Sequence, residues 1–331
     1  MPGINRTEAF YCSDSPSLLW ELTICESLAN GDSGYARALN QPAPYGELLG
    51  RFLRQHTSLP AAPERIVEVG GGYGSLMAGL LTVLAPRQVT MVDISAFLLA
   101  RQRQRLGEDG NIAYVCADIF AYLEDLDEPV DLLIANEIIA DLPTITGLTR
   151  EQLAPLLPRA REFPPLEPLA ADPGAEQLLA EAARLVATYD LEIDDQPEPF
   201  NLNVGGLQLV EKLAAREIKR VFISEHGADT ELPYPFSLLL KNYQRWDKNP
   251  KRIQLKDHDE YTIRFDHLAA VASRCGYTVD SCHMMEMLDV RFDDEINYLL
   301  TTEKPTDEAQ EILLEFLEHV AEYQVMVLSR D

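Results

Sequence analysis

The stretch Arg65-Ile-Val-Glu-Val-Gly70-Gly-Gly-Tyr-Gly74-Ser-Leu-Met77 constrains the fold more than any other part of the chain. Ile66, Val67 and Val69 form a short apolar, β-branched run suited to a parallel strand covered on both faces. Gly70, Gly72 and Gly74 follow at once, and Leu76, Met77, Leu80, Leu81 and Leu84 then take up helical spacing. Strand, glycine turn and helix in that order make the nucleotide-binding corner of an open α/β sheet. Glycines in the turn let the backbone pass against a ligand where a Cβ would collide.

The spacing of the turn selects the ligand. A dinucleotide fingerprint, G-x-G-x-x-G counted from Gly70, would place its third glycine at Ser75, so that pattern fails. What is present is an acidic residue, Glu68, two positions before Gly70, then alternating glycines. This resembles the first motif of class I S-adenosylmethionine (SAM)-dependent methyltransferases. SAM has no pyrophosphate but carries a cationic sulfonium and an amino group, which a carboxylate at a strand end suits better than an anion nest. A glycine turn without ligand function is the competing reading.

Downstream, strands and helices alternate, which predicts a doubly wound parallel sheet. Gln88–Val92 reads as the second strand, closed by Asp93, nineteen residues past Gly74 and near the distance at which an acidic group reaches ribose hydroxyls. Asp93-Ile94-Ser95 is also a plausible helix cap. Ala113–Ala117 reads as the third strand, followed by Asp118 and Ile119. The resemblance implies that Asp93 with Ile94, and Asp118 with Ile119, contact the cofactor, Asp118 facing the adenine amine; helix capping by Asp118 is the alternative. Val130–Ala135 is the fourth strand, and it delivers Asn136, Glu137 and Asp141 to the carboxyl edge where ligands bind. A carboxylate there can grip a guanidinium through two parallel hydrogen bonds, or can simply favour a helix start.

Residues 143–216 interrupt the alternation with two helical stretches, Leu153–Ala160 and Ala175–Tyr189, and proline- and acid-rich loops, which reads as an inserted helical lid. Arg220–Ser224 is the fifth strand, ending at Glu225-His226-Gly227, and Tyr277–Cys282 the sixth. Tyr323–Leu328 completes a seven-stranded sheet; the resemblance implies six parallel strands and this one antiparallel. Residues 1–60 read as a mostly helical cover, with Ser15 and Ser17 as caps and Leu18, Leu19, Leu22, Ile24 and Leu28 as its apolar face, over a methyltransferase domain at 61–331. His226 and His258 lack metal-ligand spacing, so no metal is expected.

Taken together, the glycine turn, Asn136-Glu-Ile-Ile-Ala-Asp-Leu-Pro143, Glu225-His-Gly227 and Asp259-Glu-Tyr-Thr-Ile-Arg-Phe-Asp266 resemble the MidA-type methyltransferases, which include a mitochondrial arginine methyltransferase assisting respiratory complex I assembly. The chain departs from that pattern at Ala140-Asp141, where Asp-Ala is expected, at His226 in place of Tyr, and at Arg264-Phe265-Asp266. The resemblance implies methyl transfer from SAM, leaving S-adenosylhomocysteine (SAH), to a protein or small-molecule acceptor. Glu137, Asp141 and His226 are then the candidate catalytic groups, with His226 the better base for a neutral hydroxyl or amine. A SAM-binding assembly factor without catalysis is the alternative of a different class.

Charge bounds the partners. The 28 basic and 54 acidic residues give −26, a field that repels phosphate backbones and anionic membranes, so neither nucleic acid nor membrane is an expected partner. The same field would attract a cationic acceptor. Five cysteines without a C-x-x-C pair suit a reducing compartment, and no signal-peptide pattern opens the chain, so the expected location is cytoplasmic, with a homodimer left open.

Overall fold

A computed structural model describes the 331-residue chain apart from residues 14, 15, 17, 19–21, 109, 167–172, 241–246 and 331. The expected caps Ser15 and Ser17, and Leu19, lie outside the described residues. Seven strands form the central sheet: β1 (Arg65–Val69), β2 (Gln88–Asp93), β3 (Ile112–Cys116), β4 (Leu132–Asn136), β5 (Arg220–His226), β6 (Thr278–His283) and β7 (Tyr323–Ser329). Their spatial order is β6-β7-β5-β4-β1-β2-β3. β7 runs antiparallel to both of its neighbours, and the other pairings are parallel. The expected sheet of six parallel strands and one antiparallel strand is the one observed.

The sheet is covered on both faces because its strands alternate. Val67, Val69 and Leu133 point into one apolar layer, and Ile66, Leu132 and Ile134 into the other. From β1 the chain winds outward through β2 and β3, then returns to place β4 on the other flank of β1. That reversal opens a crevice between the carboxyl ends of β1 and β4, where open α/β sheets bind ligands. The helix Tyr45–His56 crosses the helix Ser75–Leu80 so closely that a Cβ on Gly46 would sit 1.9 Å from the Leu76 carbonyl oxygen. Only glycine permits that crossing, which fixes the helix following the glycine turn.

The ends of the expected helical regions differ from the sequence reading. Gly3–Asn5 is a strand paired antiparallel with Thr144–Leu148, which pairs in turn with Phe200–Leu202. The N-terminal cover and the insertion after β4 therefore share a small sheet. These strands are three to five residues long, too short for alternation to stand out from loop sequence. Within the insertion the helix Ala175–Tyr189 buries Leu178, Ala182, Leu185 and Val186 against the same apolar layer as Val67 and Leu133. Beyond β5, Arg252–Gln254 and Asp259–Tyr261 form a short antiparallel hairpin. Among the described residues no helix is long and apolar enough to cross a membrane.

Candidate active site

The crevice holds a cavity lined on one side by Glu68, Gly70, Gly72, Asp93, Ile94, Asp118 and Ile119, and on the other by Asn136, Glu137, Ile138 and Asp141. Gly70 (φ 63°), Gly72 (φ 49°) and Gly74 (φ 81°) are all left-handed, which is the physical reason for glycine at each. A Cβ on Gly70 would come within 2.4 Å of Ile138 Cγ2, while one on Gly72 would meet only Leu18 at 3.5 Å. Gly72 thus presents bare backbone to the cavity. Gly74 does not line it; it caps the helix Ser75–Leu80 and packs on Gln102. Its requirement is conformational.

Glu68, the penultimate residue of β1, has 2% of its surface exposed, and its Oε2 is buried without a hydrogen bond among the described residues. Burial, reinforced by the nearby Asp93 charge, pushes its carboxyl up to about 8. Asp93 is also buried, but its oxygens are engaged: Oδ1 accepts from the Ser95 amide and Oδ2 from Gln102 Nε2, each at 2.8 Å. Burial raises it to about 6, against the pull of those two donors. Ser95, not Asp93, is the helix cap. Gln102, which the sequence reading missed, also donates to the Gly72 carbonyl at 3.2 Å and so ties the glycine turn to the end of β2. Asp118 caps the helix Ile119–Asp125 through the Phe120 and Ala121 amides while lining the cavity, so both of its expected roles are compatible.

On the other wall, Asn136 Oδ1 accepts from the Tyr45 and Ser224 hydroxyls, both at 2.7 Å, and its Nδ2 donates to Glu137 Oε1 at 3.0 Å. Glu137 Oε2 accepts from the Tyr323 hydroxyl at 3.0 Å and the Ile24 amide at 3.4 Å. Glu137 itself is left-handed (φ 54°), an uncommon conformation that aims its side chain into this network. Burial raises its carboxyl above the ordinary range, countered by Tyr323 and Asn136. Thr7 donates its hydroxyl to the Asp141 carbonyl at 2.9 Å, and Thr7, Glu8 and Tyr11 bring the N-terminal segment onto the cavity wall.

His226 is not on that wall. Its ring lies 4.0 Å from the Tyr323 ring, and its Nδ1 is 3.5 Å from Glu322 Oε2. Burial pulls its imidazole down, but Glu322 and Glu225 outweigh that and hold it raised. The last residue of β5 packs against Tyr323, whose hydroxyl reaches Glu137. Glu225, buried and pushed up to about 7 by desolvation, accepts from the Ala140 and His226 amides and fixes the turn after β4. Tyr45, Ser224 and Tyr323 carried no motif that would have singled them out.

A family model described as "Putative S-adenosyl-L-methionine-dependent methyltransferase" matches residues 48–152. Over 94 residues the chain is 34% identical to malonyl-[acyl-carrier protein] O-methyltransferase of Anoxybacillus flavithermus, covering 27% of this chain and 35% of that one. Over 103 residues it is 32% identical to trans-aconitate 2-methyltransferase of Streptomyces coelicolor, covering 30% and 32%. The chain spans about a third of the length of these curated relatives. An ACR superfamily protein from Burkholderia thailandensis shares the fold, with a TM-score of 0.53 and 16% identity over 94% of this chain and 82% of that one. Residues 48–152 thus match a family of putative SAM-dependent methyltransferases, in a chain with a Rossmann-like seven-stranded fold.

The cavity lining fits the cofactor that the family model names. A buried carboxylate oxygen without a partner among the described residues, beside backbone bared by glycine, fits a ligand that is cationic at one end. A pyrophosphate would meet Glu68 and Asp93 as like charges.

Proposed function

We propose that this chain transfers the methyl group of SAM to an acceptor at the Asn136–Asp141 side of the cavity. The observation that carries the reading is Glu68: its buried oxygen beside the glycine turn, unpartnered among the described residues, calls for a cationic ligand. In this assignment Glu68 holds the methionine end of SAM, Asp93 with Ile94 the ribose, and Asp118 with Ile119 the adenine. SAM supplies an activated methyl group, so the protein's part is chiefly positioning. Glu137 holds the acceptor or takes up its proton; its raised carboxyl makes it a better base than an ordinary carboxylate. His226 acts through Tyr323 and Glu137, not on the acceptor directly.

The methyltransferase domain occupies 61–331, with 1–60 as its cover, joined by strand pairing to the insertion at 143–216. A MidA-type placement is supported by the Asn136-Glu137 and Leu142-Pro143 pairs. The excess of carboxylates favours a cationic acceptor in the cytoplasm, protein or small molecule. Radiolabelled SAM incubated with the chain and a lysate of the source organism tests the reading. Label appearing in a protein band or a small molecule supports transfer; a chain that binds SAM yet labels nothing leaves the assembly-factor reading standing.

A further inference from the structure

Asp141, His258 and Glu260 converge from distant parts of the chain. Asp141 follows β4 on the cavity wall, whereas His258 and Glu260 belong to the turn and second strand of the hairpin Arg252–Gln254/Asp259–Tyr261. One donor atom from each lies within 4.8 Å of the others. His258 Nε2 is 3.1 Å from Glu260 Oε1 and 3.9 Å from Asp141 Oδ1. The side chains are 5%, 13% and 18% exposed for His258, Glu260 and Asp141. The imidazole is held in place by Phe10, stacked on it at 4.1 Å, and by the edge of Tyr11 at 5.6 Å.

A hydrogen on Nε2 can serve only one of the two carboxylates, and two carboxylates brought this close repel each other. A divalent cation would answer both. One imidazole nitrogen and two carboxylate oxygens form a donor set suited to zinc, manganese or iron, with coordination positions left open. Bonds of about 2.0–2.2 Å place neighbouring donors roughly 3–3.5 Å apart, so the His258–Glu260 contact already fits and the His258–Asp141 separation closes by about half an ångström. We propose that Asp141, His258 and Glu260 hold a divalent transition-metal cation at the rim of the cofactor cavity. The sequence concealed the site because Asp141 lies far from the His-x-Glu pair.

One consequence rests on the methyl-transfer reading. A cation at this rim takes up the charge of Asp141 and Glu260 and offers an open coordination position beside the acceptor. The test uses the full chain, stripped with a chelator and titrated calorimetrically with ZnCl2 alone and MnCl2 alone, with SAH binding measured in parallel. The wild type should take up one equivalent, and His258→Ala and Glu260→Gln should each weaken it at least about tenfold while SAH binding persists. Cobalt bound to the wild type should give visible ligand-field absorption that Glu260→Gln alters. Should His258→Ala fail to fold, Glu260→Gln decides. A wild type that binds neither ion, or variants that bind like the wild type, would overturn the proposal. Loss of SAH binding in the wild type would instead count against methyl transfer and leave the cation site standing.

Discussion

On the proposed cofactor side of the cavity, β1, its glycine turn and the ends of β2 and β3 supply the groups from one stretch, Glu68 to Ile119, and leave the buried Glu68 Oε2 without a partner among the described residues. On the acceptor side, Ile24, Tyr45, Asn136, Ser224 and Tyr323 arrive from five separate segments to hydrogen-bond one another and Glu137. The first side is backbone shape plus unanswered charge. The second is a hydrogen-bonded polar network that holds Glu137, the proposed proton acceptor, in place. Changes on the first side should therefore appear in binding and its pH dependence, and changes on the second in rate and stability.

Glu68→Gln should have the largest effect, lowering SAM and SAH affinity on the order of 10–100-fold by calorimetry, as expected for a lost charged hydrogen bond. The sign of its pH dependence follows from a folded-state value of about 8, above the ordinary 4.5. The fold binds more protons than the unfolded chain across that interval, so stability without ligand should fall as pH rises from 4.5 to 8. A cationic ligand selects the ionised form, so binding should release protons below pH 8. Comparing calorimetry in buffers of different ionisation enthalpy measures that release, and Glu68→Gln should remove most of it. Next, Gln102→Leu should cost about tenfold in SAH affinity by freeing the glycine turn from Asp93, with little loss of fold. Tyr323→Phe should leave SAH binding intact, lower stability by about 1 kcal/mol and reduce kcat severalfold, because Glu137 loses a donor. The smallest effect belongs to His226→Gln, within about threefold in kcat, since its ring packs against Tyr323 and does not line the cavity; a hundredfold loss would restore it as a direct base.

The same division explains what the sequence made legible. The seven-stranded sheet, its antiparallel last strand, and the lining positions Glu68, Gly70, Gly72, Asp93, Asp118, Asn136, Glu137 and Asp141 could be read because they sit at or just past strand ends within one local pattern. Gln102 was hidden because a buried glutamine inside a helix looks like any surface residue of that helix. His226 was assigned to the cavity because it ends a strand on the correct edge, but no pattern in the chain reports that its ring packs against Tyr323 of the antiparallel strand. The paired short strands Gly3–Asn5 and Thr144–Leu148 depend on a contact across some 140 residues. Local periodicity carries no trace of it.

The account stands most directly on titration of the chain with SAH and, separately, with NAD. One molecule of SAH should bind with proton release near neutral pH, and NAD should give no heat of binding. Tight binding of NAD with no response to SAH would contradict it.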